Sequence, residues 1–325
     1  MIITQTPLRV SFAGGGTDFR GFYEKTHGSV VSAAIDKYIY VIVKQRFDSK
    51  IRIGYSKTEF VDTVDELGHE LAREAMKIAG VKDGVEISTM ADIPSSGSGL
   101  GSSSSVTVGL LNALHAYNGE FVSAEQLARE ACRIEIDILG RPIGKQDQYI
   151  AAYGGLRKFT FNEDDTVTSE RIKVPERTMR YLSENLMLFF TGITRKSASV
   201  LTEQKSNIDD RMDFLTRMRD MADDLAEVLN QNDLSTIGST MREGWALKKT
   251  LARNVSNETI EDIYNRAMEA GAEAGKITGA GGGGFFLVHT SPQNRKSIRR
   301  ALSDLKEFPL NLERDGSKVI FNVRR

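Results

Sequence analysis

The chain has 325 residues, with 43 Lys and Arg against 44 Asp and Glu, for a net charge of −1. So even a balance provides no overall field that would select nucleic acid or a membrane surface. A hydrophobic content of 40% supports packed cores rather than disorder, and the single cysteine, Cys132, excludes an intrachain disulfide framework. No run of 18 apolar residues is present, and Met1 to Gln5 lacks the layout of a signal peptide, so a soluble cytoplasmic protein is expected.

Residues 1 to 60 read as strands and turns. Leu8, Val10 and Phe12 alternate with Arg9 and Ser11, and the strand runs into Ala13-Gly14-Gly15-Gly16-Thr17-Asp18, where consecutive glycines force a turn or a close approach. Gly28 to Ile35, Tyr38 to Val43 and Lys50 to Tyr55 continue as strands. Glu66 to Ala79 is predicted helical, with Gly80 as its C-cap, and Val85 to Met90 as a strand. Next comes Pro94-Ser95-Ser96-Gly97-Ser98-Gly99-Leu100-Gly101-Ser102-Ser103-Ser104-Ser105, followed at once by apolar helical sequence. Glycines that permit positive φ, feeding the unpaired N–H groups of a helix start, make an anion site. The loop lacks the Lys of a Walker A motif and is one residue short of G-x-G-x-x-G, so it is a phosphate loop of another kind.

Ser123 to Gln126 has capping-box spacing and opens a helix with Leu127, Ala131, Ile134 and Ile138 on its apolar stripe. Glu135 falls on the shoulder of that stripe, where a carboxylate is costly unless compensated; Arg129, Arg133 and Asp137 lie farther round. The helix ends at Gly140, and Pro142 and Gly144 forbid continuation. Gly144 to Gly155 reads as turn, short helix and turn, and Leu156 to Phe161 as a strand. The polar stretch 165–182 places a domain boundary, dividing the chain into 1–170 and 171–325. The second half opens with the strand Leu186 to Phe190 and the basic loop Thr191 to Ser197. One long helix is then expected from about Ser197 to Leu229, with further helices over about 234–252, 258–270 and 293–306. A second glycine loop, Lys276-Ile277-Thr278-Gly279-Ala280-Gly281-Gly282-Gly283-Gly284, precedes the strand Phe285 to Val288, and a last strand spans Lys318 to Val323. Strands, helix, strand, loop, helix in that order predict α+β organisation rather than alternating βαβ units.

Three glycine-rich segments thus stand in line, and at these residues the sequence resembles the GHMP small-molecule kinases. The first family motif is matched by Pro7 to Asp18, the second by Pro94 to Ser104 and the third by Lys276 to Gly284. The resemblance implies a two-domain α+β fold with the active site in the cleft between domains. It implies ATP and Mg²⁺, with Pro94, Gly97, Ser98, Gly99, Leu100, Gly101, Ser102, Ser103 and Ser104 around the nucleotide. Ser103 and Glu135 are the implied metal ligands, Asp137 being the alternative carboxylate. Asp147 is the implied catalytic aspartate, which would accept the sugar hydroxyl's proton or orient it, and Arg9 would stabilise developing charge or lower the attacking hydroxyl's pKa.

The first motif faces the acceptor in this family, which makes Gly15, Gly16, Thr17 and Asp18 substrate candidates, with Gly281 and Gly282 from the third. Galactokinases carry Gly-Glu-His-Thr-Asp there, whereas this chain reads Gly14-Gly15-Gly16-Thr17-Asp18. That form is similar to the D-glycero-D-manno-heptose 7-phosphate kinases and their sugar 1-kinase relatives, as is Thr191 to Ser197. Arg195 and Lys196 would then pair with a second phosphate on the acceptor. The implied reaction is phosphorylation of a sugar or sugar phosphate, foremost at the anomeric hydroxyl of the heptose 7-phosphate. The alternatives are another sugar 1-kinase, L-fucose-like or galactokinase-like, or a sugar-binding sensor without catalysis.

Overall fold

The computed structural model describes residues 1–93, 97–193 and 197–323. The strands are β1 (Ile2–Ala13), β2 (Gly28–Gln45), β3 (Ile51–Gly54), β4 (Thr58–Val61), β5 (Val85–Ala91), β6 (Leu156–Phe161), β7 (Val167–Arg171), β8 (Leu186–Phe190), β9 (Ala274–Ile277), β10 (Phe285–His289), β11 (Lys306–Glu307) and β12 (Lys318–Asn322). The helices are α1 (Arg20–Tyr23), α2 (Glu70–Ala79), α3 (Ser102–Asn118), α4 (Ala124–Cys132), α5 (Gln146–Tyr153), α6 (Glu176–Glu184), α7 (Ser197–Ser206), α8 (Met212–Asn230), α9 (Ile237–Leu251), α10 (Glu258–Glu269) and α11 (Arg295–Ala301).

Two sheets carry the architecture. The larger runs β12-β1-β2-β5-β3-β4, with β6 beside the first half of β2 and β7 beside β6; the smaller runs β11-β8-β10-β9. All pairings are antiparallel except β3 with β5. The two sequence-predicted strands 28–35 and 38–43 are one strand. Its pairing with β1 jumps from Pro7↔Tyr38 to Leu8↔Ile35, so a bulge absorbs Asp36 and Lys37 without breaking the ladder. β12 pairs with β1, so the last strand of the 171–325 segment lies in the sheet built mainly by 1–170. A shared apolar core joins the two sheets through Leu188, Phe285 and Leu287.

The helix expected over 197–229 is two helices. α7 ends at Ser206, a short 3₁₀ turn covers Asp209–Arg211, and α8 restarts at Met212. The apolar period runs through the break because Ile208 still packs with Phe19, Phe22 and Leu215. α3 packs on β1 and β2. Gly109 permits that approach, since a Cβ there would lie 2.9 Å from Thr6 Oγ1. No helix among the described residues is long and apolar enough to cross a membrane.

Candidate active site

The glycine loop ahead of α3 is shaped by left-handed backbone at Gly97 (φ +72°), Gly99 (φ +70°) and Gly101 (φ +78°). Only glycine adopts that geometry without strain. The loop from Thr278 to Gly284 lies directly against it. Thr278 Oγ1 and Phe285 N both donate to Ser98 O, at 3.3 and 3.2 Å. A Cβ on Gly99 would lie 2.5 Å from Thr278 O, and one on Gly279 would lie 2.7 Å from Gly99 Cα. The two loops therefore interlock backbone to backbone, and a side chain at either glycine would force them apart. They form one wall of an open cleft.

Arg9 of β1 crosses this cleft. Its Nε donates to Asp147 Oδ1 (2.6 Å), its Nη2 to Asp147 Oδ2 (2.8 Å) and its Nη1 to Gly99 O (2.6 Å). The guanidinium is buried, while the Asp147 carboxylate keeps 24% of its surface toward the cleft. Asp147 stands in the first turn of α5. The turn before it approaches Asp18, which is buried and accepts from Gly16 N (3.1 Å) and Gln146 N (3.1 Å). Burial pushes the Asp18 carboxyl above the ordinary carboxylate range; the Gln146 N–H opposes that and the Asp147 charge adds to it. Gly144 is required here, since a Cβ would fall 2.1 Å from Asp18 Oδ2.

Across the cleft, α4 runs into a π-helical segment, Arg133–Ile138. The wider turn carries Glu135 inward, fully buried, while Asp137 is about half exposed and faces Arg20. Glu135 Oε2 accepts from Ser103 Oγ (2.9 Å) and Oε1 from Thr107 Oγ1 (2.8 Å). Arg141 Nη1 donates to the same Ser103 Oγ at 2.6 Å and lies 3.5 Å from Glu135 Oε2. Burial raises the Glu135 pKa, opposed first by the Thr107 hydroxyl and then by the Arg141 charge.

Family models match this chain twice, the GHMP kinase N-terminal domain over residues 63–155 and the GHMP kinase C-terminal domain over 224–307. The chain is 31% identical over 315 residues to D-glycero-alpha-D-manno-heptose 7-phosphate kinase of Campylobacter jejuni, covering 93% of each chain. The chain belongs to the GHMP kinases. It is also 25% identical to the galactokinase of Pyrococcus furiosus, over 94% of this chain and 93% of that one. Its fold matches a D-glycero-D-manno-heptose 1-phosphate kinase from Bacteroides thetaiotaomicron with a TM-score of 0.83 over 100% of both chains, at 24% identity. The mixed α+β, two-domain GHMP kinase fold expected from the sequence is the fold observed.

Within this GHMP kinase the cleft gathers Arg9, Gly15, Gly16, Asp18, Gly97, Ser98, Gly99, Gly101, Ser102, Ser103, Ser104, Glu135, Asp147 and Gly281, all expected from sequence. Three expected contacts point elsewhere. The buried Thr17 hydroxyl donates toward Gly14 O (2.8 Å) and Ser29 O (2.9 Å), closing its own turn. Leu100 is buried and its carbonyl accepts from Arg9 N (3.1 Å), which anchors the loop. Gly282 donates its N–H to Val255 O at 2.8 Å and does not line the cleft. Pro94, Arg195 and Lys196 lie outside the described residues.

Other cleft residues were not singled out from sequence. Arg141, Pro142 and Gly144 sit inside the segment that carries Glu135, and Thr278 and Gly279 inside the third motif, so position within a motif was their available signal. Lys248 of α9 had no such signal. It is buried and donates to Gly279 O.

The donor set fits a hard cation that keeps phosphate and water ligands. One buried carboxylate and one hydroxyl face the cleft, and no cluster of three or more His, Cys, Asp or Glu exists among the described residues to form an all-protein cage.

Proposed function

We propose that this GHMP kinase transfers the terminal phosphoryl group of ATP to a sugar, and that the acceptor is D-glycero-D-manno-heptose 7-phosphate at its anomeric hydroxyl. The products are then the 1,7-bisphosphate, ADP and a proton. The observation that carries this reading is the Asp147 carboxylate, held through both oxygens by Arg9, in the same cleft as the Gly97–Ser104 loop.

Phosphoryl transfer is achieved mainly by positioning and charge stabilisation. The loop and the start of α3 supply backbone N–H groups for the nucleotide's phosphates. Mg²⁺, with Ser103 and Glu135 as its protein ligands, neutralises phosphate charge when bound. Asp147 accepts the proton of the attacking hydroxyl; each carboxylate oxygen has a second lone pair beyond the one that Arg9 engages. Asp18, fixed by two backbone N–H groups, orients the sugar's neighbouring hydroxyls. The heptose acceptor is supported by the Campylobacter jejuni relative and by Gly14-Gly15-Gly16-Thr17-Asp18 in place of the galactokinase-type motif.

Purified protein with ATP, Mg²⁺ and a panel of the heptose 7-phosphate, unphosphorylated heptose, galactose and L-fucose tests the reading by ADP release. Highest kcat/KM on the heptose 7-phosphate is expected. Preference for another member overturns the acceptor, and sugar binding without any turnover overturns the reaction.

A further inference from the structure

Beside Arg9 the cleft continues into a small, partly enclosed inner arm. Arg9, Gln146, Lys248 and Thr278 line both spaces, whereas Ser11, Trp245 and Lys276 line the arm alone. None of Ser102, Ser103, Ser104 or Glu135 reaches it. The arm is therefore distinct from the wall that faces the nucleotide.

Its lining has polar groups without partners. Ser11 Oγ, Trp245 Nε1 and Gln146 Oε1 are buried and make no hydrogen bond among the described residues. A buried polar atom left unpaired costs about 1–3 kcal/mol, and two of these three, the Ser11 hydroxyl and the Trp245 N–H, are donors that an anionic guest would satisfy. The charges agree in sign. Among the described residues Lys248 donates only to the carbonyl of Gly279, and the Lys276 ammonium has no hydrogen bond or ion pair. The two nearby acids are committed elsewhere, Asp147 to Arg9 and Asp18 to backbone N–H groups.

We infer that Lys248 and Lys276, with the Ser11 hydroxyl and the Trp245 N–H, form an anion subsite that holds a phosphate monoester carried by the acceptor itself. This rests on the sugar-kinase reading above and names the residues that select a phosphorylated acceptor, a role the sequence had placed on Arg195 and Lys196. The electrostatics support it. Burial, and then the Arg9 charge, bring Lys248 down to about 8 against the opposing charges of Asp18 and Asp147, and burial with the Lys248 and Arg9 charges holds Lys276 well below the usual lysine range. A dianion bound in the arm would favour the charged form of both ammonium groups.

Lys276→Met, Lys276→Arg and Arg195→Met test the subsite. At saturating MgATP, the ratio of kcat/KM for heptose 7-phosphate over unphosphorylated heptose is expected to fall about 10- to 100-fold in Lys276→Met, the worth of a charge-assisted hydrogen bond. The loss appears in KM, and Lys276→Arg keeps most of the ratio. A ratio within twofold of wild type, an equal loss on both acceptors, or a loss confined to Arg195→Met overturns the inference. Binding gives a readout independent of turnover. With the nucleotide loop filled by ADP, titrated inorganic phosphate is expected to raise the wild-type melting temperature and to raise that of Lys276→Met much less. Equal shifts overturn the subsite. Wild type that turns over no sugar overturns the kinase reading, and the phosphate titration then still decides the subsite.

Discussion

Replacing Asp147 by Asn isolates the proposed proton acceptor with the smallest change of shape. Arg9 approaches both carboxylate oxygens, at 2.6 and 2.8 Å. An amide in the same place meets the guanidinium with one oxygen and one NH₂, so one charge-assisted hydrogen bond is lost, worth about 1.5–3 kcal/mol. Arg9 keeps its bond to Gly99 O, so the folded state survives with reduced stability. Truncation to Ala would be a worse test, because stripping the partner from a buried pair costs about 3–5 kcal/mol and disturbs the loop as well. For the chemistry, loss of a positioned general base removes about 10²–10⁴ in kcat, or about 2.7–5.4 kcal/mol of barrier. ATP affinity is expected to stay within about threefold of wild type, because both Asp147 oxygens accept from Arg9 and neither bonds to the Gly97–Ser104 loop among the described residues. Coupled ADP-release kinetics give kcat, calorimetry gives the ATP Kd, and thermal melts give the stability loss. Wild-type kcat would refute the role of Asp147. A parallel fall in ATP affinity would refute the division of labour, showing that Asp147 acts through Arg9 and Gly99 on the nucleotide loop.

Arg141→Ala is expected to tighten calorimetric Mg²⁺ binding severalfold, because Arg141 donates to Ser103 Oγ and lies 3.5 Å from Glu135 Oε2, the proposed metal ligands; unchanged affinity would refute that competition. Gly144→Ala places a Cβ 2.1 Å from Asp18 Oδ2, so an overpacking loss of about 1–3 kcal/mol and a raised acceptor KM are expected; a wild-type melting curve and KM would show that the turn yields. His115 is buried between Glu130 (2.7 Å) and Glu120 (2.9 Å), whose hydrogen bonds, Glu130 first, raise its pKa. A folded pKa above the unfolded value near 6.5 makes its contribution complete below that pH and lost as pH rises through the folded value. Urea melts of wild type and His115→Gln should therefore differ more at pH 6 than at pH 9, and the reverse order would refute the assignment.

The parts of the site legible in sequence are those where geometry restricts residue choice. Gly99 and Gly279 meet backbone to backbone, and left-handed φ adds a second restriction at both, so each leaves a glycine in the sequence. Glu135 was legible because a carboxylate beside an apolar stripe needs a reason. Its inward turn was not, because the π-helical segment depends on how α4 packs and leaves the helical pattern nearly intact. The break between α7 and α8 was hidden for a related reason. Ile208 keeps the apolar period, and the turn is tied by Asn207 Nδ2 to Leu251 O, 44 positions on. Lys248 and Lys276 were illegible as a pair, since Lys276 only opens the third motif, Lys248 reads as an ordinary lysine, and β9 and α9 bring them to one arm only in three dimensions. The terminal strand likewise shows its place only through the register Ile2↔Asn322 on β1.

Arg9 connects these parts. A guanidinium has five N–H donors, and three of them are spent among the described residues, two on Asp147 and one on Gly99 O. Those three acceptors come from α5 and from the Gly97–Ser104 loop, so a single planar group fixes the distance between the two sides. Two donors remain, in a buried setting where charge is poorly screened. In the proposed reaction they would serve an oxygen that gains charge during transfer, at no further cost in reorganisation, because the fork is already held from both sides. A lysine could supply the charge but not the fork, since its ammonium cannot bridge Asp147 through two oxygens while also reaching Gly99. The geometry thus accounts for an arginine on β1, and for a glycine at 101, where a Cβ would lie 3.2 Å from Arg9 Cγ and 3.4 Å from Asp147 Cγ.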